Sequence, residues 1–213
     1  MSEYIESHGK LNEYHLNRIK HTIAKALVCH SRIFAIRVDL HVPCTTNLDG
    51  MIDPYDFAKI DAAVITRFIA SLKAKIKSDL KAKAKAHKRV HPTTLRYIWT
   101  RELSPTTSNT HYHVLLLLNQ DTYAFLGDYK KSTGNLSAMI KDAWYSALGI
   151  TIDEDISTTS LVYFPENPCY YLSETSQDFK DSYDDLIYRV SYFAKEETKN
   201  KDDGQRNFGY SQG

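Results

Sequence analysis

Apolar and polar residues alternate most cleanly between Ile33 and Val42. Phe34, Ile36, Val38, Leu40 and Val42 fall on one face, and Ala35, Arg37, Asp39 and His41 on the other. Successive side chains of a strand point to opposite faces, so this stretch predicts a strand, apolar behind and polar in front, closed by Pro43. Leu95 to Leu103, rich in aromatic and β-branched residues, predicts a second strand. Thr110 to Asn119 predicts a third, opening with His111-Tyr112-His113 and running into Val114 to Leu118. The turn-forming residues 104–109 join these two as a hairpin.

Helical spacing governs the intervening segments. Leu11, Tyr14, Ile19, Ile23, Ala26 and Leu27 predict a helix over 10–29, and Phe57, Ile60, Val64, Ile65, Phe68, Ile69 and Leu72 predict one over 54–87, started by Asp53-Pro54. A helix over 135–148 is stopped by Gly149, a strand is expected within 158–165, and a last helix over 176–199. The polar tail from Lys201 to Gly213 is expected to be poorly ordered alone. This order predicts an α+β fold: an antiparallel sheet of four or five strands of the split βαβ kind, helices on one face and an open polar face on the other. Residues 1–31 read as a helical extension, 32–200 as the main domain and 201–213 as a tail.

With 213 residues, 42% hydrophobic and 25% charged, the chain suits one sizeable globular domain. Its net charge of +1 names no partner, but charge is unevenly spread. The second half of the long helix and the residues just after it carry Lys73, Lys75, Lys77, Lys81, Lys83, Lys85, Lys88 and Arg89 against Asp79 alone. Such a run is either a solvated helix face or a track for phosphates. Cys29, Cys44 and Cys169 form no framework, the N-terminus is polar, and the longest apolar run is far too short to span a bilayer. These features lead to the expectation of a cytoplasmic protein without a membrane partner. No Gly-x-x-x-x-Gly-Lys-Ser/Thr motif marks a fused helicase.

His111 and His113 point to the same side of their strand. Glu102 shares its face with Arg96, Ile98 and Thr100, and the short hairpin brings it across from the start of the His strand. Two imidazoles and a carboxylate can hold one metal ion with positions left for substrate and water. Alone, a His-x-His pair reads more readily as two solvated or hydrogen-bonded histidines at a strand end; the conjunction with Glu102 and with the last helix favours a metal. In the last helix, Tyr188, Tyr192, Lys195 and Lys199 fall on one stripe, opposite Leu186, Ile187, Val190 and Phe193. A tyrosine beside a lysine is a plausible nucleophile toward a phosphodiester, since a nearby cation favours the phenolate.

These residues resemble the HUH endonucleases. His111-Tyr112-His113 resembles the His-hydrophobic-His motif, and Tyr192-Phe193-Ala194-Lys195 the Tyr-hydrophobic-x-Lys motif. Tyr188 matches the paired tyrosine of rolling-circle initiators, with Ser191 where many of them carry lysine. Arg101-Glu102, Tyr188 to Lys195 and Arg206-Asn207-Phe208-Gly209 are similar to the inovirus- and prophage-associated family with a YagK/YfjJ C-terminal-type domain. The resemblance implies a ferredoxin-like palm and Mg²⁺ or Mn²⁺ held by Glu102, His111 and His113. It further implies nicking of single-stranded DNA at a replication origin through a phosphotyrosine, with host helicase and polymerase acting next in a bacterial cytoplasm. On that reading Tyr192, Tyr188 and Lys195 are catalytic, and Arg37, Lys73, Lys77, Lys81, Lys85, Lys88, Arg89 and Lys199 contact DNA. Trp99, Trp144, Tyr170 and Tyr171 are stacking candidates, with packing the commoner use of each. Transposase- or relaxase-type strand transfer and a non-catalytic DNA-binding regulator are the alternatives.

Overall fold

The computed structural model describes residues 9–43, 57–103, 109–150, 161–196 and 203–212. Among these, the elements run α1 (Glu13–Cys29), β1 (Arg32–His41), α2 (Val64–Lys85), β2 (Arg96–Leu103), β3 (Thr110–Asn119), α3 (Leu136–Leu148), β4 (Val162–Tyr163), β5 (Cys169–Ser173), α4 (Phe179–Ser191) and β6 (Phe208–Tyr210). The expected α+β architecture is present. One sheet has the order β4-β1-β3-β2-β6, with β5 also paired to β1. The chain forms two compact units: Met1–Asp39, His91–Phe125 and Phe164–Gly213 make the first, Leu40–Val90 and Leu126–Tyr163 the second.

In the first unit, β2 and β3 form the expected antiparallel hairpin, and its register pairs Glu102 with His111 and Thr100 with His113. β6 lies antiparallel along the other side of β2, and β5 antiparallel to β1. Ile19, Ile23 and Leu27 of α1 and Leu186 and Val190 of α4 form one core with Ile33, Ile98, Leu115 and Leu117 of the strands. The strand positions in that core continue, on the same face, into Arg37 and Asp39 of β1, Thr100 and Glu102 of β2, and His113 and His111 of β3. The polar residues therefore occupy one end of this face, where most of them are buried; α1 and α4 cover the other end. Alternation tells which way a side chain points, but not how far along a strand of roughly 30 Å a helix about 10 Å across will reach.

Two boundaries drawn from the sequence change here. Over its described part, 9–31, the helical extension is built into the unit, because α1 supplies part of this core. The tail is not loose over its described part: it forms β6, with Arg101 N donating to Asn207 O at 2.9 Å and Ser211 N to Tyr97 O at 2.9 Å. β5 and β6 are too short to show a period and have no counterpart in the expected order.

The last helix is also shorter than 176–199. It ends at Ser191, followed by one 3₁₀ turn over Tyr192–Ala194, and Lys195 is already extended. Ser191 Oγ donates back to Tyr188 O at 2.7 Å, a bond that competes with helix continuation. Main-chain bonds then capture the chain: Asn12 N donates to Ala194 O at 2.8 Å and Glu196 N to Lys10 O at 3.1 Å.

In the second unit, α2 begins at Val64 rather than 54; Asp53-Pro54 lies outside the described residues. Asp61 accepts from Ala63 N at 2.8 Å and from Arg67, which sets the start. Phe57 and Ile60 fit the helical period yet are 77% and 43% exposed, so their spacing is not a helix face. α2 packs on α3, with Phe68 edge-on to Trp144 at 5.8 Å. Gly149 stops α3 in the left-handed conformation at φ 71°, as expected. Of the strand expected within 158–165, β4 is the part that forms among the described residues, and His41 N donates to Leu161 O at 2.8 Å. Among the described residues, no helix is long and apolar enough to cross a membrane.

Candidate metal centre

The hairpin register brings Glu102, His111 and His113 together at the polar end of the sheet face. One ligand atom from each lies within 4.8 Å of the others. Glu102 Oε2 stands 3.7 Å from His111 Nε2 and 3.5 Å from His113 Nε2. Two donors about 2.1 Å from a shared ion are separated by no more than roughly 4.2 Å, so the donor set suits one cation with little closing movement. Burial makes the same demand. Glu102 is 2% exposed, and a carboxylate so far from water needs positive charge nearby. His113 Nε2 is buried without a hydrogen-bond partner, and it is directed at the same point.

The other nitrogen of His113 is fixed from β1. Nδ1 lies 2.7 Å from Asp39 Oδ1. A carboxylate only accepts, so the Nδ1 proton points to Asp39 and the Nε2 lone pair points to the cluster. Arg37 Nε is 3.4 Å from the same Asp39 oxygen. Burial works against the Asp39 charge, but the His113 hydrogen bond and charge, aided by Arg37, hold its carboxyl below the usual range. Burial likewise pushes His113 down, and the hydrogen bond to Asp39 with the nearby carboxylate of Glu102 outweighs this and raises it. Sequence reasoning assigned Asp39 no role. Its only signal was a place on the polar face of β1, two residues from Arg37.

The 3₁₀ turn after α4 aims Tyr192 at the cluster. Its Oη donates to Glu102 Oε2 at 3.1 Å, and its ring meets His113 edge-on at 5.3 Å. Lys195 Nζ lies 5.8 Å from the centre of that ring. Burial, then the charge and hydrogen bond of Glu102, push the phenol up to about 12. The sequence expectation is a favoured phenolate, from the neighbouring cations; burial and then Glu102 reverse it. Tyr188 does not join this group: it sits on α4, 46% exposed.

The other expected contacts are distributed differently. Arg37 is 8% exposed and engaged with Asp39, so it is part of the centre's support rather than a phosphate clamp on an open face. Lys73, Lys77, Lys81 and Lys85 are exposed on α2, and Lys88 and Arg89 just beyond it, all in the second unit. Lys199 lies outside the described residues. Trp144 is fully buried and donates to His41 O at 2.9 Å, a core role. Trp99 packs edge-on to Tyr112, Tyr171 stacks on Phe34, and Tyr170 is partly buried beside it on β5.

Comparison with known proteins gives a family. Residues 1–211 match the YagK/YfjJ C-terminal domain. The protein YfjJ of Escherichia coli K12, named as uncharacterized, is 41% identical over 214 residues, 99% of each chain. YagK of the same organism, also named as uncharacterized, is 38% identical over 213 residues, 100% of this chain and 99% of its own. No solved structure matches.

Proposed function

The chain belongs to the YagK/YfjJ C-terminal domain family, and from its metal centre we propose a metal-dependent nicking endonuclease and strand transferase. Its substrate is single-stranded DNA at the origin of a phage, prophage or plasmid-like element replicated by rolling circle. One observation carries this reading: a tyrosine hydroxyl lies 3.1 Å from the carboxylate of a two-histidine, one-carboxylate cluster.

Tyr192 is the nucleophile. Its Oη attacks the scissile phosphorus, the phosphorus–O3′ bond breaks, and the product is a 5′-phosphotyrosine with a free 3′ hydroxyl for a polymerase to extend. The phenolic proton passes to water, since Glu102 Oε2 would be engaged with the ion, and the departing O3′ takes a proton from water. Glu102, His111 and His113 would hold Mg²⁺ or Mn²⁺, which supplies Lewis-acid polarisation of the phosphate when bound; two imidazoles suit Mn²⁺ better. Asp39 keeps the Nε2 lone pair of His113 turned to the cluster. Lys195, beside the Tyr192 ring, stabilises negative charge on the attacking oxygen. The exposed lysines of α2 bind the DNA backbone. Host helicase and polymerase in a bacterial cytoplasm complete the cycle.

Incubation with single-stranded circular DNA and Mn²⁺, followed by a denaturing gel, tests the reading. A covalent adduct is expected, lost in Tyr192→Phe and kept in Tyr188→Phe. A phenol pushed up to about 12 also suits a non-catalytic, origin-binding regulator on the same fold. Absence of adduct on every origin-bearing DNA would favour that alternative and sink the enzymatic one.

A further inference from the structure

β6 is built into the first unit more firmly than a three-residue strand needs to be. A Cβ on Gly209 would stand 2.5 Å from Cε2 and Cζ2 of Trp99, so the indole lies directly across the backbone there. Arg101 Nε and Nη2 donate to Asn207 Oδ1 at 3.1 and 2.8 Å, just before the strand. With Gly209 on the Trp99 side, Phe208 and Tyr210 point to the opposite face, that of the metal centre. Phe208 pairs with Thr100, and Thr100 with His113. Phe208 therefore stands two strand spacings, about 10 Å, from His113 in one transverse row.

There β6 meets α1. His15 stacks on Phe208 with ring centres 4.0 Å apart. The Arg18 guanidinium carbon lies 4.9 Å from the centre of the Tyr14 ring and 5.5 Å from that of Tyr210. Tyr14 is 55% exposed, and His15, Arg18, Phe208 and Tyr210 are partly exposed. Among the described residues Arg18 has no carboxylate partner; its neighbours are rings. α1 itself carries Arg18, Lys20 and Lys25 against Glu13 alone. Ring faces left partly in water around a guanidinium without a carboxylate partner among the described residues suit unpaired bases with their phosphate. A duplex offers no free base faces, and an apolar protein surface would leave the guanidinium charge unmet.

We propose that Tyr14, His15, Arg18, Phe208 and Tyr210 form a ledge that stacks one or two unpaired bases of single-stranded DNA beside the metal centre. Arg18 holds the phosphate between them, and the strand enters along the β6 edge of the sheet. The choice of DNA rests on the function proposed above; the position and chemistry of the ledge do not.

Binding of a labelled thymidine oligonucleotide, monitored by fluorescence anisotropy in EDTA so that metal chemistry plays no part, tests the ledge. Tyr14→Ala, an exposed helix position, should weaken binding about tenfold, the loss of one stacked base. Arg18→Gln should lower the slope of log K against log salt by about 0.7. An abasic oligomer of equal length should bind wild type weakly and be indifferent to Tyr14→Ala. Wild-type affinity in both variants, or equal affinity for the abasic oligomer or a duplex, overturns the proposal. So does a dimer that Tyr14→Ala dissociates while oligonucleotide binding stays unchanged, since the ledge then belongs to a second copy. Variant-sensitive binding without any covalent adduct keeps the ledge and removes the nicking reading; an adduct with variant-insensitive binding does the reverse.

Discussion

Tyr192 donates a hydrogen bond to Glu102 Oε2 across 3.1 Å, tying the turn after α4 to the end of the β2–β3 hairpin. The nucleophile of the proposed reaction is thus held, without metal, by a carboxylate that the metal needs. Burial, then the Glu102 charge, push the phenol up to about 12. In metal-free protein the phenolate absorbance lost on Tyr192→Phe should have its midpoint well above the ordinary value of about 10. Glu102→Gln removes a negative charge that opposes a second one, so the midpoint should fall toward that value. An unmoved midpoint would mean that burial alone sets it.

Asp39 gives a second expectation. Its carboxylate, 2.7 Å from His113 Nδ1, selects the tautomer that offers Nε2 to a metal. Asp39→Asn keeps the shape and loses the fixed acceptor, so Mn²⁺ affinity should drop about 10- to 100-fold. His113→Ala should drop it further. Electron paramagnetic resonance of free Mn²⁺ during titration measures both. Equal affinity in wild type and Asp39→Asn would reduce Asp39 to a partner of Arg37.

The Glu102–His111–His113 cluster was open to pattern reasoning because each step was local. Period-2 alternation put both histidines on one side, and a short hairpin set the register that pairs Glu102 with His111. Tyr192 reaches the cluster by a different route from the one its spacing suggested. The stripe of Tyr188, Tyr192, Lys195 and Lys199 presumes a helix to 199, whereas α4 stops at Ser191. The stop depends on main-chain bonds to Lys10 and Asn12, far away in sequence, which no window of neighbouring residues contains. β6 was hidden for the same reason: its place depends on Trp99 and Arg101, not on its own alternation. Asp39 was visible as a polar strand residue, but its use required knowing that β1 lies next to β3.

The α2 lysines yield a third prediction. Lys73, Lys77 and Lys81 recur every four residues on the exposed side of the helix. Each phosphate contact on a single strand contributes about 0.7 to the slope of log K against log salt. The triple substitution Lys73→Gln, Lys77→Gln, Lys81→Gln should therefore lower that slope by about 2. Thermal stability should stay within about 0.5 kcal/mol per site, because all three side chains are exposed. Anisotropy across a salt series checks the first outcome and calorimetry the second. An unchanged slope returns the lysine run to an ordinary solvated face.

The clasp on β6 should open in acid. The Arg101 side chain is buried, and its Nη2 donates to Asp203 Oδ1 at 2.8 Å. That hydrogen bond, then one from the Gln205 amide, hold the Asp203 carboxyl below its usual range. A carboxyl with a lower pKa folded than unfolded stabilises the clasp above its unfolded value, about 3.9. The contribution fades as pH falls through the folded value. Hydrogen-exchange protection of the Ser211 amide, bonded to Tyr97 O, should hold near neutrality and fall below about pH 4, after correction for intrinsic exchange, while β3 amides keep theirs. Asp203→Asn should lower that protection at neutral pH and remove its change with pH in this window. Equal wild-type protection at about pH 3 and about pH 6 would show that Asn207 and Gln205, neutral acceptors of the same guanidinium, hold the strand without the Asp203 charge.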